Sequence, residues 1–171
     1  VATPTYALRL VQTAREMGID LAKDSKVRLT VHAGEPGASI PATKRAIEEG
    51  WGAKCGDFGG MSECGANFYF KCSHESPGVH IHEDQFLQEV IDPQTLEPVP
   101  DGQNGELVFT AVTKQAMPLL RYRTRDIASL DRSPCPCGRT GARMSRVAGR
   151  TDDMLIIRGV NVFPSQVEEA L

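Results

Sequence analysis

The chain lacks any run approaching the ~20 apolar residues that a membrane-crossing helix needs. It also lacks a basic block: 19 Lys and Arg stand against 22 Asp and Glu, for a formal net charge of −3. Without a cationic stripe to neutralise a phosphate backbone, nucleic-acid binding is disfavoured, whereas a small acidic or polyphosphate ligand is allowed. The opening VATPTYALRL has neither the basic start nor the apolar centre of a signal peptide. No internal repeat and no low-complexity segment is present. Five cysteines, an odd number, do not suit a disulfide framework in a chain without secretory features, and point to reduced thiols or metal ligands. The expectation is a soluble, cytosolic protein with no membrane or nucleic-acid partner.

What is present is enough chain, 171 residues, to bury a core of one domain or one and a half. Residues 5–17, from Thr5 through Met17, space Tyr6, Leu8, Leu10, Val11 and Met17 as a helix would, with Gly18 as a stop. VRLTVHAGEP reads as a buried strand running into a turn. SIPATKRAIEEGWG reads as a helix with Ser39 and Pro41 at its start and Gly50 at its end. The glycine-rich CGDFGGMSECG follows, so the first 70 residues read as α/β with a ligand-competent loop after a strand. From residue 79 the pattern alternates: VHIHEDQFLQEVID, the turn PDGQNG, ELVFTAV and PLLRYRTRDIASL predict an antiparallel sheet or small barrel. The end, FPSQVEEAL, predicts a helix capped by Ser165 with Val167, Ala170 and Leu171 on one side. At about seven residues it falls short of the ~12 that are marginal alone, so the chain reads as a piece of something larger.

Two glycines beside a hydroxyl and a carboxylate, in GGMSE (Gly59–Glu63), let backbone approach a ligand while Ser62 donates to a phosphate oxygen and Glu63 offers hard oxygen to Mg²⁺. In HAGEP, Gly34 leaves room for a flat ligand such as a purine. In YRTRD (residues 122–126), Asp126 between Arg123 and Arg125 is either neutralised by them or aimed at a ligand's hydroxyls. The residues alone leave both open.

Taken in order, HAGEP, GGMSE, TKQAMPLLRYRTRD and GRTDDMLIIRGVNVFPSQVE resemble the adenylate-forming acyl-CoA ligase superfamily, and most closely its phenylacetate-coenzyme A ligase branch. The resemblance implies the end of a large-domain α/β layer (residues 1–70), a β-barrel-like subdomain (71–149), and the hinge and start of an α+β C-terminal domain (150–171). It implies an AMP-forming enzyme that makes an acyl-adenylate from an aryl carboxylate and ATP with Mg²⁺, then a thioester with coenzyme A; it leaves a homodimer open. Carried over residue by residue, Gly34, Glu35, Pro36, Asp57, Gly60, Met61, Ser62, Asp126 and Arg150 would bind the nucleotide. Ser62 and Glu63 would act at the α-phosphate and Mg²⁺, and Arg123 and Arg125 would support the charge of Asp126. Asp152 would be the hinge, and Arg158 and Gly159 would approach coenzyme A. HAG and FGG would line the acyl pocket. Gly59 stands where the family usually carries a tyrosine whose ring packs on adenine. The phosphate loop and late lysine of such enzymes are not among these residues, so the chain alone is expected to be inactive. The alternatives are an adenylating enzyme that uses a carrier thiol, and a zinc-stabilised, non-catalytic binding module.

The cysteines carry a separate expectation. PCPCGR presents Cys135 and Cys137 in a Pro- and Gly-rich turn, and KCSHESPGVHIHED offers Cys72, His74, His80 and His82. Cys72, His80, Cys135 and Cys137 form the preferred set for a structural Zn²⁺, with His82 as an alternative on the same strand face. Cys55 and Cys64 read as small buried groups or loop thiols.

Overall fold

A computed structural model describes residues 1–171 except 73, 75, 76, 154, 158, 159 and 163–171. The Arg158–Gly159 pair and the helix predicted at 165–171 therefore lie outside the described residues. The chain divides into two compact units, Val1–Cys72 and Ser73–Leu171.

In the first unit, α1 (Pro4–Glu16) begins where Thr3 Oγ1 accepts from the Tyr6 N–H at 3.3 Å, with Pro4 at the first position. The helix is where its spacing predicted, but the buried stripe is Pro4, Ala7, Val11 and Ala14, with Tyr6 and Met17 exposed. Small residues win because the partner helix comes close: a Cβ on Gly50 would lie 2.7 Å from Val11 Cγ2. Gly50 is thus a contact inside α3 (Pro41–Trp51), and the stop is Gly52, left-handed at φ +61°. The expected Ser39 cap is not used; Ile40 precedes the helix without a side-chain bond, and Ser39 ends a 3-10 turn, Pro36–Ser39. A short α2 (Leu21–Asp24) is capped by Asp20.

Strands β1 (Leu29–His32) and β2 (Lys54–Met61) pair in parallel, with the 3-10 turn and α3 as the crossover, and β2 turns back antiparallel into β3 (Gly65–Phe70). Beneath them Ala7, Ala38, Ile47 and Cys55 form the core, flanked by Leu8 and Trp51. Ile47 is fully buried, which contributes about 2 kcal/mol. The Trp51 indole donates to the Ala7 carbonyl at 3.2 Å.

The second unit is antiparallel, as its alternation predicted. Its strands are β4 (Val79–Ile81), β5 (Phe86–Ile91), β6 (Gly105–Ala111), β7 (Tyr122–Ala128), β8 (Leu130–Asp131), β9 (Arg143–Met144), β10 (Gly149–Arg150), β11 (Leu155–Ile157) and β12 (Val160–Val162). One sheet runs β10–β7–β6–β5; β4, β9 and β8 are neighbours in that order; β11 and β12 form a hairpin. Strand β6 departs from alternation, because all of it but Thr110 is buried, including Glu106. Its Phe109 meets Phe86 edge to face at 6.3 Å.

Candidate functional site

In the first unit the site residues gather at the carboxyl ends of the parallel strands, the edge at which open α/β sheets receive ligands. His32 ends β1 opposite Asp57 of β2. The chain then turns at Gly34, whose φ of +91° is the left-handed region; a Cβ there would meet only Thr3 Cγ2 at 3.5 Å, so the demand is conformational. Glu35 is anchored: its Oε1 accepts from the Thr5 N–H at 2.6 Å, in the first turn of α1. That bond holds its carboxyl below the usual range and places an anion at a helix N-terminus. Pro36 opens the 3-10 turn that follows.

Burial keeps the imidazole pKa of His32 low. Its neutral ring puts Nδ1 3.0 Å from the Ala2 carbonyl, while Nε2 has no hydrogen-bond partner among the described residues. Burial likewise pushes the Asp57 carboxyl up to about 6, opposed by the charge of Lys71.

Past Asp57 the β2–β3 register slips between Gly59 and Met61, around Gly60. Ser62 and Glu63 then occupy the turn closed by the Cys64 N–H on the Met61 carbonyl at 3.2 Å, with Ser62 exposed and Glu63 half-buried. Gly59 faces Tyr69 across the hairpin, and a Cβ on Gly59 would overlap Tyr69 Cζ. The Tyr69 ring therefore covers the space that a side chain at 59 would enter. Sequence reading passed over Tyr69; the signal was a bare glycine opposite an aromatic strand, legible only once the register is known.

In the second unit YRTRD is a strand break. Glu106 pairs with Ile127 and Val108 with Arg123, so Leu107 alone stands opposite Thr124, Arg125 and Asp126. Thr124 repairs the lost ladder: its hydroxyl donates to the Leu107 carbonyl at 2.9 Å and accepts from the Asp126 N–H at 3.0 Å. Arg125, at φ +71°, takes the left-handed conformation that costs a non-glycine residue about 1 kcal/mol.

The two arginines do not support Asp126. Arg123 forks onto Glu106 (Nε–Oε1 3.0 Å, Nη2–Oε2 2.5 Å), and Arg125 Nε lies 4.0 Å from the same carboxylate. Glu106, completely buried in β6, is the stronger attractor because a buried carboxylate needs a cation. Asp126 instead meets Arg150, its cross-strand neighbour on β10, at 3.1 Å. Burial raises its carboxyl pKa, and Arg150 only partly offsets this. Arg150 also chelates Asp152 through two bonds of 2.9 Å, with Asp153 at 3.7 Å. One guanidinium thus joins the expected ribose ligand to the expected hinge residue.

The four residues chosen as metal ligands come together: the ligand atoms of Cys72, His80, Cys135 and Cys137 all lie within 4.8 Å of one another. His82 is outside this group, with Nδ1 4.0 Å from Asp84, and His74 is exposed. None of the five cysteines is in a disulfide, and among the described residues no helix is long and apolar enough to cross a membrane.

Residues 56–163 match the family model described as acyl-protein synthetase, LuxE. A phenylacetate-coenzyme A ligase of Thermus thermophilus is 47% identical over 99% of this chain and 38% of its own length. The ligase of the same description from Escherichia coli is 42% identical over all of this chain and 38% of its own. A crystal structure of 2-hydroxyisobutyryl-CoA ligase, in the postadenylation state with R3-HIB-AMP, superposes with a TM-score of 0.90 at 35% identity, covering 99% of this chain and 36% of that one. The chain thus spans under two fifths of the length of the relatives it matches, and the resemblance drawn from its motifs is borne out.

Proposed function

Because the chain belongs to the LuxE acyl-protein synthetase family, we propose that it is part of an ATP-dependent, AMP-forming ligase that joins an aryl carboxylate to coenzyme A. The observation that carries the reading is the β7 break, which spends three residues and one left-handed backbone to present the half-buried carboxylate of Asp126 in register with Arg150.

In this reading a substrate carboxylate oxygen attacks the α-phosphorus of ATP, pyrophosphate leaves, and the thiol of coenzyme A then displaces AMP. Asp126 accepts hydrogen bonds from the ribose hydroxyls, with Arg150 beside it. Ser62 donates to an α-phosphate oxygen. The donor chemistry of Glu63 fits Mg²⁺, which takes one or two carboxylates and completes its octahedron with phosphate oxygens and water; the ion would neutralise charge developing on the phosphates. Gly34, Glu35 and Pro36 flank the purine, with Asp57, Gly60 and Met61 nearby, and Tyr69 offers the aromatic face that Gly59 does not. His32, with its bare Nε2, belongs to the acyl pocket. Asp152 is the hinge, and Arg158 with Gly159 approaches coenzyme A. A cytosolic location and a homodimer complete the reading.

The family description favours a second reading, in which the acyl group passes to a protein thiol. Both are tested on the complete protein that contains this chain. Phenylacetate-dependent exchange of pyrophosphate into ATP is expected, followed by AMP release on adding coenzyme A. Asp126→Ala should weaken binding of AMP by more than ~1 kcal/mol, the scale of a lost charged hydrogen bond. Exchange without any response to coenzyme A would select the second reading; no exchange with any of a panel of aryl and aliphatic acids would overturn both.

A further inference from the structure

We propose that Cys72, His80, Cys135 and Cys137 bind one structural zinc ion through three thiolates and one imidazole, independently of the ligase reading. The loop between β8 and β9, residues 132–142, brings two of the ligands. The Gly138 N–H bonds the Cys135 carbonyl at 2.9 Å and the Cys135 N–H bonds the Arg139 carbonyl at 3.3 Å, so the loop closes on itself around the two sulfurs. Gly138 sits at φ +86° with nothing within 4 Å of where a Cβ would stand, so the glycine serves the turn itself and not a tight contact.

The base of the loop is fixed by Arg143, buried in β9, which reaches Asp131 at 2.6 Å and the Ser133 hydroxyl at 2.8 Å. Arg143 is also the cross-strand partner of His80, which sets the imidazole on β4 against the loop. His80 and Cys135 are both almost wholly buried, at 2% and 4% exposure.

The spacing suits a tetrahedral ion. Bonds of about 2.0 to 2.3 Å place ligand atoms about 3.5 to 3.8 Å apart. His80 Nε2 and Cys137 Sγ already lie 3.4 Å apart, and no pair in the set exceeds 4.8 Å. Arg139 Nη1 lies 3.6 Å from Cys137 Sγ, on the same loop. Four protein ligands leave no open coordination position, so the ion holds the loop to β4 and performs no chemistry on substrate.

The test uses the complete protein, purified reduced and without chelator from zinc-supplemented cells. Elemental analysis should find about one zinc per chain. Titrating the metal-free protein with Co²⁺ should give the intense visible bands and sulfur-to-metal charge transfer of a tetrahedral cobalt thiolate. Cys135→Ser with Cys137→Ser should lose the metal and those bands and lower the Tm, as should His80→Asn. A wild-type protein without metal and without cobalt-thiolate bands overturns the proposal, and so does a spectrum that survives in the double variant. The wild-type titration decides even where a variant fails to fold.

Discussion

In β2 the pairing slips at a pair of glycines, Gly59 and Gly60, whereas in β7 it breaks at Thr124, Arg125 and Asp126, all with side chains and one of them left-handed. The first break is permissive: backbone without Cβ is covered by the ring of Tyr69. The second is enforced by bonds, with Thr124 satisfying the interrupted ladder, Arg123 held to Glu106, and Asp126 held to Arg150. A glycine break needs little support and specifies little. A charged break needs a network around it, and that network fixes where one carboxylate points.

If the second break is held by its network, removing its buried anchor should have the largest effect. Glu106→Gln keeps the shape but removes the buried anion on which Arg123 is held, and should lower unfolding stability by about 3 kcal/mol, the upper scale for hydrogen bonds to a charged group. Denaturant unfolding of the complete protein measures this. A loss under ~1 kcal/mol, the range of exposed pairs, would mean that the charge network does not hold the break.

Much of this arrangement was legible in the sequence, and the limit lies at register. Turn chemistry and alternation located the antiparallel strands, and the spacing of residues 5–17 located α1. The motif order singled out Asp126 and Arg150, which the structure pairs, and the cysteine and histidine pairs singled out Cys72, His80, Cys135 and Cys137, which it brings together. The sequence could not say that Arg123 turns away from Asp126, because that follows from Glu106 being buried on a neighbouring strand. Nor could it place Tyr69 over Gly59, a contact that exists only in the paired hairpin. The small-residue face of α1 was missed for a similar reason: which stripe is buried depends on the approach of α3 at Gly50.

The permissive break makes a smaller, pairwise prediction. Gly59→Ala drives a Cβ into Tyr69 Cζ, so the ring must move, at about 2 kcal/mol for overpacking. In Gly59→Ala with Tyr69→Ala the obstruction is gone. The double variant should therefore lose less stability than the two single losses added, by about 1 kcal/mol or more. Strict additivity would mean that the ring and the glycine do not depend on each other.

The smallest expected effect concerns a carboxylate buried in the first unit. Asp57 has its pKa raised to about 6 by burial, whereas an unfolded aspartate titrates near 3.8. Below pH ~4 both states are protonated; between ~4 and ~6 the unfolded chain ionises while the folded one holds its proton. The folded state therefore binds more protons in that window, and Asp57 makes stability fall as pH rises through it, levelling off above about 6. Asp57→Asn should remove that decline and leave the protein relatively more stable at about pH 7 than at about pH 4, compared with wild type. Asp126 is the instructive contrast: its carboxyl is also raised, but its asparagine variant would lose the ion pair with Arg150, which offsets the gain at neutral pH. Thermal unfolding across about pH 4 to 7 separates the cases. An unchanged slope in Asp57→Asn would mean that water or Lys71 already screens the acid, and the two units would then differ in geometry but not in how they treat a buried charge.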